Sequence, residues 1–357
     1  MNDAPRAGVA TARRTGRGDP PARSSSLYRR RALGLATILT ALMAAVILSL
    51  AHGANPLGYD QVWSALWGRD GSQASIIVWT ERWPRTLLGI AVGAALGVAG
   101  ALIQALTRNP LAEPGILGVN AGAGFAVTLG AGVFGLAGIS QYVWFAFLGA
   151  AITTVVVFVI GSAGGGTASP VTLVLAGVAL GAVLNGFSTF LTLIDPDTFR
   201  SFRNWGLGSL ARTTMEDTLL VAPFLLVGLI GALALAGPLN SIALGDDLAA
   251  SLGTRVGRTR VLGIGVVTLL AGGATALTGG IAFLGLMVPH VVRWFVGPDQ
   301  RWIIAYSALA APVLVLVADV LGRVLVRPSE IEVGVVAAVI GAPVLIALVR
   351  RREASSL

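Results

Sequence analysis

Ten separated apolar segments, each long enough to cross or nearly cross a lipid bilayer, constrain this chain more than any local motif. They occupy residues 32–51, 86–106, 115–136, 142–160, 171–194, 218–236, 261–277, 280–296, 303–320 and 333–349. Inside hydrocarbon each backbone N–H and C=O must find its partner within the protein, so segments of this length are read as helices. The expected fold class is therefore an all-α membrane protein, a polytopic bundle of about ten transmembrane helices. Composition agrees, with 55% hydrophobic residues, 12% charged residues and a mean hydropathy of +0.81. A soluble domain needs far more charge on its surface.

Residue types that are missing exclude whole classes of chemistry. With no cysteine, disulfides, thiolate nucleophiles and cysteine metal sites are ruled out. All 25 basic residues are arginine. A nucleotide-binding P-loop needs its lysine at the β/γ-phosphates, so the chain is not itself a P-loop ATPase, and Schiff-base chemistry falls on the same ground.

Residues 1–31 read as a separate, disordered basic tail, rich in Arg, Pro, Gly and Ser and without apolar periodicity. Such a tail can orient the chain, or bind anionic lipid or a partner. Arg29–Arg31 followed by an apolar run also resembles a signal peptide, but the run is long enough to span. Residues 32–352 form the transmembrane domain and 353–357 a short tail. Ten spans place both termini on one side, and the excess of arginine at the two ends puts that side in the cytoplasm. The internal loops alone would not decide it.

Glycine and proline are distributed for packing and for breaks. Gly89, Gly93 and Gly97 recur at four-residue spacing, as do Gly177 and Gly181, which lets neighbouring helix backbones approach closely. Pro110, Pro114 and Gly115 interrupt the chain between the second and third segments, and Pro289 is expected to break the eighth. Backbone freed in this way must be buried by protein or solvated by a cavity, which suggests a pathway. A weak internal echo, residues 88–93 against 262–267, hints at two related halves.

The most polar internal loop is Gly245-Asp246-Asp247-Leu248-Ala249-Ala250-Ser251-Leu252-Gly253. It is too charged to insert, yet Leu248, Ala249 and Leu252 recur at three- and four-residue spacing, as a docking helix requires. Such a loop is read as facing another protein.

Several stretches resemble, in order, the FecCD-type permeases, the membrane subunits of iron–siderophore and cobalamin ABC importers. They are Arg82-Trp83-Pro84-Arg85, Gln104, the run from Arg108-Asn109-Pro110-Leu111-Ala112-Glu113-Pro114 to Gly118, Leu175–Leu180 with Asn185, Trp205–Leu210, the loop 245–253, Pro289–Arg293, Ala318-Asp319 and Gly341-Ala342-Pro343. The resemblance covers about residues 30–350. It implies a type II ABC importer permease fold: two copies of this chain, or this chain and a close paralogue, around one path, with a cytoplasmic ATPase dimer and an extracytoplasmic substrate-binding protein. Membrane lipid is the remaining partner, and no nucleic acid is expected.

Residue by residue, the resemblance implies that Gly245, Asp246, Asp247, Leu248, Ala249, Leu252 and Gly253, within coupling helices at about 240–256, seat on the ATPase. Arg82, Arg85 and Arg323 would lie on the outer face and meet carboxylates of the binding protein, with snorkelling interface anchors as the alternative. Asn109 and Leu111 would form a cytoplasmic gate, a plain turn being the alternative. One departure stands out: where the family often has Glu-Leu-Pro-Val-Gly, this chain has Glu330-Ile331-Glu332-Val333-Gly334. The added carboxylate is expected to alter the charge near Arg323 and Arg327.

His52 and His290 are the two imidazoles and fall on opposite sides of the predicted membrane, so no resident metal or other cofactor is expected; ATP and magnesium would be used by the ATPase. Asp319 and Glu113 lie near spans without a His, Cys or Lys to complete an acid/base pair. The chain is read as a transport subunit and not an enzyme, taking up a ferric siderophore, with cobalamin or haem as alternatives. An ion-coupled secondary transporter would place ionisable groups near the bilayer midplane, where this sequence has almost none.

Overall fold

The computed structural model describes residues 23–136, 138–163 and 170–354, and among them there is no strand. The helices are α1 (Arg23–Ala51), α2 (Tyr59–Trp67), α3 (Gln73–Thr107), α4 (Val119–Phe134), α5 (Ile139–Ser162), α6 (Pro170–Ile194) and α7 (Pro196–Gly206). Then follow α8 (Met215–Ile242), α9 (Asp246–Ser251), α10 (Val256–Thr278), α11 (Leu284–Val296), α12 (Gln300–Leu325) and α13 (Val333–Ala354). Seven helices are long and apolar enough to cross a membrane, and the shorter apolar helices Val119–Phe134, Leu284–Val296 and Val333–Ala347 match the other three segments read from the sequence. The end at which α1 begins is called the inner end, following the expected orientation, and the opposite end the outer end.

Two boundaries differ from expectation. α1 starts at Arg23, so the last residues of the expected tail are helical; the spanning run supplies the nucleus onto which Ser and Arg residues add cheaply. Residues 1–22 lie outside the described residues. Pro289, expected to break the eighth segment, sits inside the continuous helix α11. Its missing N–H deprives the carbonyl four residues back, that of Gly285, of its normal partner. The buried Gln104 amide donates to Gly285 O at 3.3 Å and to Leu286 O at 3.0 Å. The freed backbone is therefore satisfied by protein, and no water-lined cavity is needed at this proline.

α3 is the hub, and 83% of its apolar window is buried against 17% for that of α1. Its glycine face explains the position. A Cβ at Gly93 would stand 2.6 Å from Pro312 Cα of α12, and one at Gly97 2.6 Å from the Ala311 side chain. Gly100 meets the Gly285 backbone of α11 even more closely. In lipid there is little hydrophobic drive between helices, so close backbone contact supplies the association. α3 and α12 thus behave as one packed pair, on whose ends the functional residues sit.

Candidate functional site

The inner-end site is built on the short helix α9, which is delimited by two glycines in the left-handed region, Gly245 (φ 109°) and Gly253 (φ 84°). A side chain at either would strain the backbone, which explains why glycine flanks this loop helix. Leu248 and Leu252 are 50% and 62% exposed, whereas Ala249 is fully buried. The expected single docking side therefore divides. Residues four apart lie about 40° apart on a helix and Ala249 about 100° from Leu248. Ala249 seats α9 on the bundle, and the two leucines with Asp247 face away from it.

Asp246 turns this loop helix into a connector. Its carboxylate accepts from Arg260 Nη2 at 2.9 and 3.1 Å and lies 3.5 Å from Arg108 Nη2. Arg260 is on α10, and Arg108, with φ 51°, closes the C-terminus of α3. One carboxylate thus joins the loop helix to the start of α10 and to the end of the hub helix. Asp246 was singled out in the sequence; Arg108 and Arg260 as its partners were not, because they stand 138 and 14 residues away in sequence.

Directly after Arg108 comes the interrupted connection. Asn109 is exposed, and its Oδ1 accepts from Leu111 N at 3.0 Å, a local side-chain turn that holds the chain between two prolines. Leu111 is half-buried. Further on, Glu113 Oε1 accepts from Phe283 N at 2.8 Å, capping the N-terminus of α11. The structure accordingly brings the expected coupling and gate residues to the same end, linked by Asp246 and Arg108.

The outer-end site is a buried charge cluster. Arg85 meets Asp319 at 2.7 Å and Glu330 at 2.8 Å, and Arg323 meets Asp319 at 2.6 Å. Arg82 donates to the carbonyls of Leu50, Ala51 and Asn55 at 2.7–2.8 Å. Arg323 donates to the carbonyls of Ser49 and His52 and to Ser49 Oγ. Both cations therefore bind the carbonyl groups left over where α1 ends, where a positive charge is also favoured by the helix dipole.

Arg82 and Arg323 are 3% and 2% exposed, so in this arrangement neither guanidinium can meet a partner's carboxylate directly. Arg85 keeps 12% of its side chain exposed and lines a groove of about 540 Å³ with Glu81, Arg212, Thr214 and Glu330. Glu332, expected to alter the surroundings of Arg323 and Arg327, instead pairs with Arg212 at 3.0 Å. Arg212 was not singled out in the sequence.

The chain as a whole matches a known family and several known proteins. The model of the FecCD transport family matches residues 41–351. The ferric enterobactin transport system permease protein FepD of Escherichia coli K12 is 48% identical over 329 residues, covering 92% of this chain and 98% of that protein. A siderophore transport system permease protein of Bacillus subtilis, YfiZ, is 35% identical, with 89% and 95% covered. The hemin transport system permease protein HmuU of Yersinia pestis is 34% identical, with 88% and 96% covered. Among solved structures, a metal-chelate type ABC transporter described in an inward-facing conformation matches with a TM-score of 0.78 and 28% identity, covering 90% of this chain and 99% of that one.

Proposed function

The chain belongs to the FecCD transport family, and from that membership we propose that it is the membrane-spanning permease subunit of an ATP-binding cassette importer for a ferric siderophore. The observation that carries the substrate class is the 48% identity to the ferric enterobactin permease over nearly the full length of both proteins. The hemin permease is more distant at 34%. The test is uptake of labelled ferric enterobactin, hemin and cobalamin in a strain lacking this gene. Restoration of ferric siderophore uptake by the intact gene supports the reading, and restoration of hemin or cobalamin uptake alone overturns the substrate assignment.

On this reading two permease subunits, either two copies or this chain with a paralogue, enclose the path, and a separate ATPase pair supplies the energy. The ATPase is assigned to the exposed Leu248, Leu252 and Asp247 of α9, since two unpaired leucines on a charged loop fit an apolar groove in a partner. Movement of α9 reaches Asn109 and Leu111, the proposed gate, through Asp246 and Arg108. Both termini are assigned to the cytoplasm. ATP and magnesium belong to the ATPase, and no resident cofactor is assigned to this chain.

The substrate-binding protein is assigned to the outer groove. Arg85 and Arg212, the latter 38% exposed on its side chain, line it with Glu81 and Glu330, so the groove offers charges of both signs to a partner. Arg82 and Arg323 act beneath them by fixing the end of α1. Rim charges of this kind set encounter rate and register more than final affinity.

A further inference from the structure

We infer that the groove between α5 and α10 holds one acyl chain of an anionic phospholipid whose headgroup phosphate is bound by Arg255 and Arg258. The groove has a volume of about 580 Å³ and is lined almost wholly by carbon. Phe147, Val155 and Phe158 of α5 form one wall, and Val261, Leu262 and Leu269 of α10 the other. The hydroxyls that reach it are already satisfied, Thr154 by Ala150 O and Thr268 by Ile264 O. Gly265 also lines the groove, is exposed, and a Cβ there would meet nothing within 4 Å. The glycine therefore leaves space that no side chain of this chain fills.

Charge at one end identifies the occupant. Arg258, Leu262, Gly265 and Leu269 follow one another at three- and four-residue steps, with Val261 three residues after Arg258, so they share a face of α10, and Arg255 stands at its N-cap. Arg255 and Arg258 are exposed and make no ion pair among the described residues, whereas the neighbouring Arg260 is buried on Asp246. From Arg258 to Leu269 the axial rise is ~16 Å at 1.5 Å per residue. That matches one leaflet, half of a hydrocarbon core of ~30 Å. An acyl chain lying along this face carries its phosphate to the level of the two guanidiniums. The leaflet concerned is the cytoplasmic one on the orientation proposed above, and that leaflet carries the negative lipid.

The experiment titrates the purified full chain in detergent with phosphatidylglycerol or phosphatidylcholine and counts bound lipid by native mass spectrometry. The wild type should retain phosphatidylglycerol preferentially. Arg255→Gln with Arg258→Gln should lower that preference by about thirtyfold. Gly265→Leu should lower binding of both lipids by filling the groove. Equal binding of the two lipids by the wild type, or an unchanged preference in the double variant, overturns the proposal. So does a changed oligomeric state in Gly265→Leu, which gives the groove to a second copy, or lost ATPase copurification in the double variant with lipid preference intact, which gives the arginines to a protein. The readout is independent of orientation and of substrate, so its failure leaves the transport reading standing.

Discussion

Replacing Asp246 with Asn loosens the loop helix from the start of α10, and more weakly from the hub, without touching its exposed leucines. The carboxylate makes two contacts of unequal worth. Its approach to Arg108 is long, 3.5 Å, between side chains 41% and 36% exposed, and an exposed pair of this kind contributes about 0–1 kcal/mol. The contact to Arg260 is short and two-fold, and the Arg260 side chain is 6% exposed. Stripping a fully buried cation of its partner costs about 3–5 kcal/mol. With one side of the pair open to water, about 2 kcal/mol is the reasonable figure here. That shifts the population of the attached arrangement by about thirtyfold.

The assay is ATP hydrolysis and substrate uptake measured together in proteoliposomes containing the permease, its ATPase and the binding protein. Asp246→Asn should leave ATPase copurification intact, because Leu248 and Leu252 are unchanged, while uptake per ATP hydrolysed falls. A second variant, Asp246→Asn with Arg260→Met, removes the stranded cation and should recover thermal stability without recovering coupling. Unchanged uptake per ATP in Asp246→Asn would refute the connector role. So would full recovery of coupling in the double variant, since that would make the single variant's defect one of stability alone.

Four further outcomes are expected. Leu248→Asp with Leu252→Asp should abolish ATPase copurification, because a carboxylate buried in an apolar groove costs several kcal/mol, while the permease dimer persists on gel filtration. Asp319→Asn leaves Arg323 and Arg85 short of their shared counter-charge at a site 1% exposed and should destabilise the protein by about 3–5 kcal/mol, seen as a lower unfolding temperature in detergent. Asn109→Cys, in a chain without native cysteine, should crosslink to its symmetry mate with a short reagent, more weakly once nucleotide binds; crosslinking insensitive to nucleotide would place the gate elsewhere. Arg212→Glu should slow association of the binding protein and reduce the dependence of that rate on salt, measured by stopped flow.

The spans and the loop helix were legible because each is specified locally. Apolar runs must become helices in lipid, and paired glycines delimit α9 whatever the rest of the chain does. The glycine spacing on α3 likewise predicted a close helix contact, though not that α12 would provide it. Partner choice was not legible. Gln104 is one polar residue in an apolar run, and nothing near it in sequence shows that it completes the backbone at Pro289, 185 positions on. For Arg82 and Arg323 the family resemblance implied a docking face. They are buried because α1 ends beside them with unpaired carbonyls, a condition set by the fold. The same long-range pairing moved Glu332 onto Arg212.

The two ends of α3 carry opposite arrangements, and the difference bears on how a movement would travel. At the outer end Asp319 and Arg323 are buried and Arg85 nearly so, their contacts are short, and Arg323 is reinforced by backbone carbonyls, so breaking the cluster strands buried charge. At the inner end Asp246 and Arg108 are each more than a third exposed and 3.5 Å apart, so water can replace their contact at little cost. Between them the glycine face of α3 holds α12 at contacts that leave no slack for side chains to absorb a shift. On the proposed coupling route, therefore, α3 and α12 move as one body pivoting at the outer cluster, and displacement accumulates at the inner end, where Arg108, Asn109 and Leu111 lie. Gly93→Ala tests this: the 2.6 Å approach to Pro312 would force the pair apart, and the resulting variant should lose gate movement, read as nucleotide-insensitive crosslinking at Asn109→Cys, while α9 still binds the ATPase. Normal nucleotide-sensitive crosslinking in that background would show that the gate responds to α9 without the hub pair.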